Sequence, residues 1–272
     1  MPPSKFPPLQ DLKLFSIQQI NRLPGEHALQ IYRDLISPAV CTRFGIDESL
    51  TDSEGRPLFD CQMTATAVEF ILRHVWDAED PIFYLQLADT PHNQIEITQF
   101  VINDPTSERF DVDRLPDGTP TYFGTVARNI PEEIKAMRYG LAPGQVRRGL
   151  RITRSLLPIL EQFVAALQHD SYFIQPLAYH NAIIFERFGF GYVTGRGRME
   201  WIQREFSLWG VLTRRLDGST PFRHIGMASH VVGRSWAIHD GILGEPFTNV
   251  KMYKRVGIHA GVVTFPDAPW RI

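Results

Sequence analysis

Three arginines surround a glycine near the middle of the chain, where the sequence could bind an anion. Arg147, Arg148 and Arg151 flank Gly149, and the apolar spacing that follows predicts a helix over residues 152–167. Unpaired N–H groups and the positive end of the helix dipole converge at the start of a helix. The segment therefore predicts a site for a phosphate-bearing ligand, and the alternative is a solvated helix boundary. The predicted site comprises Gln145, Val146, Arg147, Arg148, Gly149, Leu150 and Arg151.

A second group of polar residues follows a predicted strand and opens a predicted helix. Tyr179, His180 and Asn181 stand at this junction, where side chains are expected to face a cleft. Histidine and tyrosine can transfer protons near neutral pH, so these three are candidate catalytic residues. For His180, capping or packing is the alternative. Glu96, in another predicted strand, is a further candidate base or else a solvent-facing glutamate.

The histidines near the C-terminus invite a metal hypothesis. His224, His230, His239 and His259 are spread over several predicted loops, and their spacings match no compact zinc or iron motif. We therefore expect no metal and assign these histidines to a pocket or a subunit contact. The two cysteines form no Cys-x-x-Cys pair, which favours buried thiols over a disulfide.

Composition excludes several classes of protein. Of the 272 residues 43% are apolar and 21% are charged, which is typical of a folded globular chain and not of a disordered or coiled-coil one. The net charge of −2 gives no general attraction to nucleic acid or to an anionic membrane. No apolar run has the length of a membrane span or a signal peptide, so we expect a cytoplasmic protein.

The first part of the chain has mainly helical spacing. Four prolines within residues 1–8 predict an extended leader, and the apolar positions of residues 16–44 predict two helices. A third helix is predicted over residues 64–75. The β-rich segments Ile82–Leu87 and Ile95–Ile102 then predict a hairpin.

The second part alternates between strands and helices. Phe110–Val112 predicts a short strand inside a loop insertion, and Pro131 begins a predicted helix. Residues 137–192 predict a short strand, the basic loop, a helix, a strand and a second helix closed by Gly189-Phe190. Beyond residue 207, glycines and histidines predict short strands and loops, and the apolar content there predicts a packed segment.

This order of elements, with the basic loop and the Gly-Phe closure, resembles the GNAT superfamily of acyl-CoA N-acyltransferases over about residues 65–205. In that family a loop written Pro-x-x-Arg-Gly-x-Gly-x-Gly/Ala holds the pyrophosphate of CoA. Pro143 matches its proline, Gly149 its central glycine and Leu150 the residue that follows, whereas Val146 stands at its arginine and Arg147 at its first glycine.

The family's later helix has the pattern Asn-x-x-Ala-x-x-x-Tyr-x-x-x-Gly-Phe. Gly189-Phe190 match the end of this pattern. Ala178 stands at its asparagine, Asn181 at its alanine and Phe185 at its tyrosine, so the tyrosine that often protonates the departing thiolate is absent from its position.

The resemblance implies an α/β protein with a mixed, mostly antiparallel sheet flanked by helices. It implies an N-terminal helical portion over residues 1–64, a core over residues 65–206 and a C-terminal extension over residues 207–272. The implied activity is transfer of an acyl group from acetyl-CoA or another acyl-CoA directly to a small amine. The C-terminal extension would pack on the core or join two copies of the chain.

Two other functions stay open. The altered loop and the absent tyrosine favour a non-catalytic protein that keeps the fold as a binding or assembly module. A metal-dependent enzyme that uses the C-terminal histidines is the third hypothesis.

Overall fold

The computed structural model describes Phe6, Leu9 and residues 12–271. Within these residues, helices α1 to α9 are Ile17–Asn21, Gly25–Arg33, Pro38–Phe44, Ile130–Tyr139, Thr153–Ala166, Tyr179–Arg187, Arg196–Glu205, Val211–Arg214 and Val231–His239. Strands β1 to β7 are Phe59–Met63, Ala67–Leu72, Phe83–Asp89, Ile95–Ile102, Ser171–Ile174, Gly191–Thr194 and Lys251–Arg255. The predicted leader lies outside the described residues, except for Phe6.

The described strands form one seven-stranded sheet in the order β1-β2-β3-β4-β5-β7-β6. Strands β1 to β4 are successive antiparallel neighbours, and β5 pairs with β4 in parallel. The parallel pair needs a crossover connection, and α5 lies in it. The predicted fold class, a mixed and mostly antiparallel sheet flanked by helices, is confirmed.

The hairpin predicted from residues 82–102 is present as β3 and β4. Its register changes between Gln86 and Leu87, whose partners are Gln99 and Ile97. Thr98 is therefore an extra residue on β4, a β-bulge. The Thr98 hydroxyl donates to the Gln86 side-chain oxygen at 2.9 Å, which fixes the bulge against β3.

The helix predicted over residues 64–75 is wrong, because residues 67–72 form β2. Val68, Phe70 and Leu72 are buried at alternate positions, which is the period of a strand. Phe70 packs among aromatic rings, 6.0 Å from Phe59 and 5.8 Å from Phe83 between centroids. This burial on a sheet face decides the conformation of a short segment that is also compatible with a helix.

The N-terminal helices number three among the described residues, where two were predicted. Pro24 precedes α2 and Pro38 begins α3, as suits a residue without an N–H group. Helix α1 is capped by Ser16, and the Asp89 carboxylate at the end of β3 accepts from the N–H groups of Ile17 and Gln18 at 2.9 and 2.8 Å. The helical portion is thereby attached to the sheet.

Two predicted short strands are also wrong. Residues 110–112 carry no strand, and the side chains of Phe110 and Val112 instead fill an apolar cluster. Met137 lies in α4, which has Pro131 in its first turn as predicted and ends where Gly140 takes a left-handed conformation, φ 87°. The helix persists to Tyr139 because Ala136 is buried on its apolar face.

The described chain divides into two compact units, each made of separate segments. The first unit contains the described residues up to Thr106, with Gly149–Ile174 and Tyr253–His259. The second contains Ser107–Arg148, Gln175–Met252 and the described residues from Ala260 onward.

Trp236 on α9 is at the centre of the second unit. Its ring is fully buried and stacks on Phe222, with centroids 5.1 Å apart, and its indole N–H donates to the Leu141 carbonyl at 2.7 Å. The first two N–H groups of α9, from Val231 and Val232, are accepted by the carbonyls of Pro269 and Trp270. The predicted packing of these α9 residues is therefore confirmed.

The sharpest packing constraint in the second unit involves one glycine. Gly144 has φ 77°, and a Cβ on it would overlap the ring of Phe123. Gly118 has a similar φ of 86° but no atom within 4 Å of such a Cβ. The two positions thus share backbone strain and differ in packing.

We expect Gly144→Ala to destabilise the protein by roughly 3 kcal/mol, because left-handed strain and overpacking both apply. The matched control Gly118→Ala should cost about 1 kcal/mol, since only the strain applies. Urea unfolding of the purified variants measures both values. Equal losses in the two variants would contradict the packing argument.

Candidate functional site

Strand β4 has one edge that is only partly paired. The parallel ladder to β5 consists of Ile95–Tyr172, Glu96–Phe173 and Ile97–Ile174, and it ends there. On the other edge, β4 pairs with β3 as far as Ile102. Within the described chain, residues 98–102 therefore have no strand neighbour on the β5 side.

The alternation of the ladder identifies the groups at this open edge. The N–H of Asn103 donates to the Ile82 carbonyl at 3.1 Å, toward β3. Because neighbouring residues of a strand face opposite edges, Phe100 and Ile102 direct their N–H and C=O groups away from β3. Both residues are partly exposed. The open edge can accept an extended molecule that carries amide groups.

The loop that begins α5 meets the end of β4. A Cβ on Gly149 would lie 3.4 Å from the Ile102 carbonyl oxygen, so the loop backbone runs close to the last residue of the strand. Leu150 is buried and anchors the loop, whereas Arg151 is exposed and has a φ of 58°. Gly149, Leu150 and Arg151 thus belong to the first unit together with β4.

Helix α5 begins without a side-chain cap. Ile152 is at the N-cap position, the first turn holds no acidic residue, and Arg154 is exposed there. The N–H groups of a first turn have no intrahelical acceptor. The helix dipole and Arg151 and Arg154 together make this end of α5 electropositive.

The other residues of the predicted loop belong to the second unit. The Gln145 side-chain oxygen accepts from the Ala142 N–H at 2.8 Å, and Val146 packs against the apolar cluster of that unit. The Arg147 guanidinium donates to the Ser107 carbonyl. The Arg148 guanidinium lies 4.0 Å from the ring centroid of Tyr139. These contacts of the two arginine side chains therefore fix the conformation of the loop.

The three predicted catalytic residues begin α6 in the second unit. Tyr179 and His180 are buried, whereas Asn181 is partly exposed. His180 Nδ1 and the Ser235 hydroxyl are 2.8 Å apart, a bond that joins α6 to α9. Burial, and to a smaller extent the interaction with His239, lowers the pKa of His180 to about 3. Burial raises the pKa of Tyr179 to about 12, although the Arg234 guanidinium opposes this.

His224, His230 and His239 each contact a neighbouring group of the chain. His224 and His230 accept from the N–H groups of Gly226 and Gly233 and so cap short helices. His239 Nε2 is 3.1 Å from the Glu133 carboxylate. Among the described residues, no group of three histidine, cysteine or acidic side chains is arranged to hold a metal.

His239 belongs to a network of buried charges in the second unit. Arg128 bridges Glu133, at 2.5 Å, and Asp240, at 2.9 Å. Burial alone would raise the pKa of Glu133, but the hydrogen bonds from His239 and Arg128 hold it below its ordinary value. Both carboxylates are therefore charged and paired, which suits a structural cross-link.

No family model matches this chain, and neither curated proteins nor solved structures give a match. The resemblance to the GNAT superfamily therefore stays a prediction that rests on the residues quoted above. No helix in the described part of the chain is long and apolar enough to cross a membrane.

The sequence analysis does not predict the open edge of β4, and the sequence carries a signal only for the bulge on that strand. Apolar residues occupy odd positions at Ile95 and Ile97 and even positions at Phe100 and Ile102. Such a change of parity within a strand indicates a bulge. The early end of β5 has no comparable signal, because it depends on pairing between distant segments.

Burial of neutral His180 predicts a specific dependence of stability on pH. The unfolded chain binds a proton at the ordinary pKa near 6.5, whereas the folded protein keeps His180 neutral down to about 3. Unfolding therefore takes up a proton below pH 6.5, and stability falls as pH falls. The loss between pH 7 and pH 5 should be about 2 kcal/mol.

His180→Asn should remove this contribution, so that the variant loses about 2 kcal/mol less than the wild type over the same pH interval. His27→Gln, at an exposed position, is the control and should keep the wild-type dependence. Chemical unfolding at both pH values gives the comparison. Identical pH dependences in wild type and His180→Asn would show that the argument is wrong.

Proposed function

We propose that this protein is an acyl-CoA-dependent N-acyltransferase that transfers an acyl group directly to a small amine. The observation that carries the proposal is the open edge of β4, which ends against the glycine loop that begins α5. A strand edge and an electropositive helix start thus adjoin within one unit. CoA has the matching chemistry, an extended arm with two amides attached to a pyrophosphate.

The amide-bearing arm of CoA suits the edge of β4. Phe100 and Ile102 present their N–H and C=O groups about 7 Å apart along the strand. An extended ligand can add to such an edge as a further strand does, through backbone hydrogen bonds. Because those bonds depend on the backbone, they do not require the particular side chains of a family motif.

The pyrophosphate suits the start of α5. The N–H groups of the first turn and the close backbone at Gly149 supply donors, and the exposed Arg151 and Arg154 supply charge. Arg147 and Arg148, which we expected to add charge, donate to or stack on residues of the second unit. We therefore assign the charge to Arg151 and Arg154.

Direct transfer needs a base for the amine and a proton for the departing thiolate. The amine nitrogen attacks the thioester carbonyl, the C–N bond forms, and the C–S bond breaks with the electron pair on sulfur. Tyr179 and His180 have pKa values of about 12 and about 3, far from the neutral range that suits proton transfer. Glu96, partly exposed on β4 two residues before the bulge, is the better candidate for the base. Asn181 belongs to the second unit, and its assignment as a catalytic residue stays a prediction of the sequence.

One observation favours the alternative of a non-catalytic binding or assembly module. The Arg147 and Arg148 side chains of the basic loop contact Ser107 and Tyr139 of the second unit. A protein of this kind would keep the fold and bind neither CoA nor an acyl donor. Binding of CoA thus separates the two functions.

We expect acetyl-CoA and CoA to bind the wild-type protein in calorimetric titration and to raise its melting temperature. Gly149→Asp should lower the affinity for CoA at least tenfold, because it places a negative charge beside the phosphates. The added Cβ meets only ordinary van der Waals contact, so the fold should persist. Circular dichroism checks this.

Gly197→Asp is the matched control, since Gly197 opens α7 and has no atom within 4 Å of an added Cβ. Its affinity for CoA should equal that of the wild type. Absence of binding by the wild type at millimolar CoA would remove the proposal. Equal affinities of the two aspartate variants would place the phosphates elsewhere.

A further inference from the structure

Arg234 is a buried cation without an acidic partner in the described chain. It lies on α9 and is only 4% exposed. Its Nε donates to the Ala228 carbonyl at 2.7 Å, and its Nη1 donates to the Gln203 side-chain oxygen at 2.5 Å. Both acceptors are neutral. Because a buried charge is normally paired with an opposite one, the site is electrostatically incomplete.

Aromatic rings surround the guanidinium but supply no neutralising charge. The ring centroid of Phe265 lies 3.5 Å from the guanidinium carbon, and that of Phe206 lies 5.0 Å away. Such rings stabilise a cation and leave its net charge unchanged. Burial lowers the pKa of Arg234, the direction expected where no anion compensates the charge.

Tyr179 brings a second unused donor to the same place. Its hydroxyl interacts electrostatically with the Arg234 guanidinium, and the residue is 1% exposed. No described residue accepts the hydroxyl proton. At one buried position, therefore, the guanidinium lacks a neutralising anion and the Tyr179 hydroxyl lacks an acceptor for its proton.

The buried acid near Tyr179 does not fill this role. The Glu186 carboxylate accepts from the Thr264 N–H at 2.9 Å, from the Thr264 hydroxyl at 2.6 Å and from the Tyr192 hydroxyl. Its oxygens are thus engaged by neutral donors of other segments. Arg234 is left for an anion from outside the chain.

We propose that Arg234 and Tyr179 bind the carboxylate of a small organic acid with an apolar or aromatic body. A single guanidinium matches one negative charge and can bind a planar carboxylate through two parallel N–H bonds. The Tyr179 hydroxyl donates a further bond, and the rings of Phe206 and Phe265 pack on the apolar body. A phosphate dianion would leave an excess negative charge buried, which disfavours it.

Phe265 covers the guanidinium and is the side chain that must move when the acid enters. It is partly exposed and belongs to residues 261–271, which the structure describes without a helix or a strand. The neighbouring Thr264 fixes this segment to Glu186, so rotation of the Phe265 side chain suffices. This binding does not require CoA, and the proposal stands whether or not the protein is an acyltransferase.

The test uses the full chain and calorimetric titration with benzoate, phenylacetate and hexanoate. We expect at least one of these acids to bind the wild type and to raise its melting temperature, and we expect benzamide and inorganic phosphate to have no effect. Arg234→Met should abolish binding. Tyr179→Phe should weaken it about tenfold, the effect of one lost hydrogen bond to a charged group.

Arg22→Met is the matched control, because Arg22 is an exposed arginine of the first unit. It should bind the acid as the wild type does. If Arg234→Met does not fold, Tyr179→Phe and Phe265→Ala decide the outcome. Phe265→Ala should accelerate association at least severalfold.

Several outcomes would overturn the proposal. One is the absence of acid binding by both the wild type and Phe265→Ala. Another is an affinity of Tyr179→Phe equal to that of the wild type. Equal responses to benzoate and benzamide would assign the binding to the apolar body alone and would also exclude a carboxylate site.

Discussion

The hydrogen bonds of β4 are the constraint on which the first unit depends. A strand has donors and acceptors on two edges, and β4 pairs with β3 along one edge from Ile95 to Ile102, except at the Thr98 bulge. On the other edge β5 supplies partners at only three residues. The backbone N–H and C=O groups of β4 beyond this ladder must form hydrogen bonds with water, with another part of the chain or with a ligand. The bulge at Thr98, the close approach of Gly149 and the start of α5 all lie next to this gap, so the candidate site is a consequence of incomplete pairing.

Much of the fold was readable from local patterns. The hairpin follows from the alternation within residues 82–102, and α5 follows from one apolar stripe. Local patterns do not decide the conformation of residues 64–75. The strand period is present at Val68, Phe70 and Leu72, and the helical period is present at Ala67, Phe70, Ile71 and His74. Pairing with β1 and β3 makes this segment a strand, and a local sequence pattern carries no information about that pairing.

The candidate site was less predictable than the fold. The composition of the basic loop predicts an anion site. It does not predict that Arg147 and Arg148 bond to Ser107, because Ser107 lies about 40 residues earlier in the chain. His180 was selected for its chemistry and is instead buried against Ser235, 55 residues later. The sequence gives no sign that Arg234 is buried, because an arginine is normally a surface residue. In each case the decisive fact is a contact between distant segments, which determines whether a polar side chain is exposed, paired or isolated.

The hydrogen bonds between α9 and the carbonyls of Pro269 and Trp270 affect the order in which the protein can be made. Helix α9 carries Trp236, around which the second unit packs, yet its first N–H groups are completed only by these two late residues. During translation, α9 leaves the ribosome while Pro269 and Trp270 are still unmade or inside the exit tunnel. During that interval the first N–H groups of α9 lack these acceptors, so packing around Trp236 can be completed only late in synthesis.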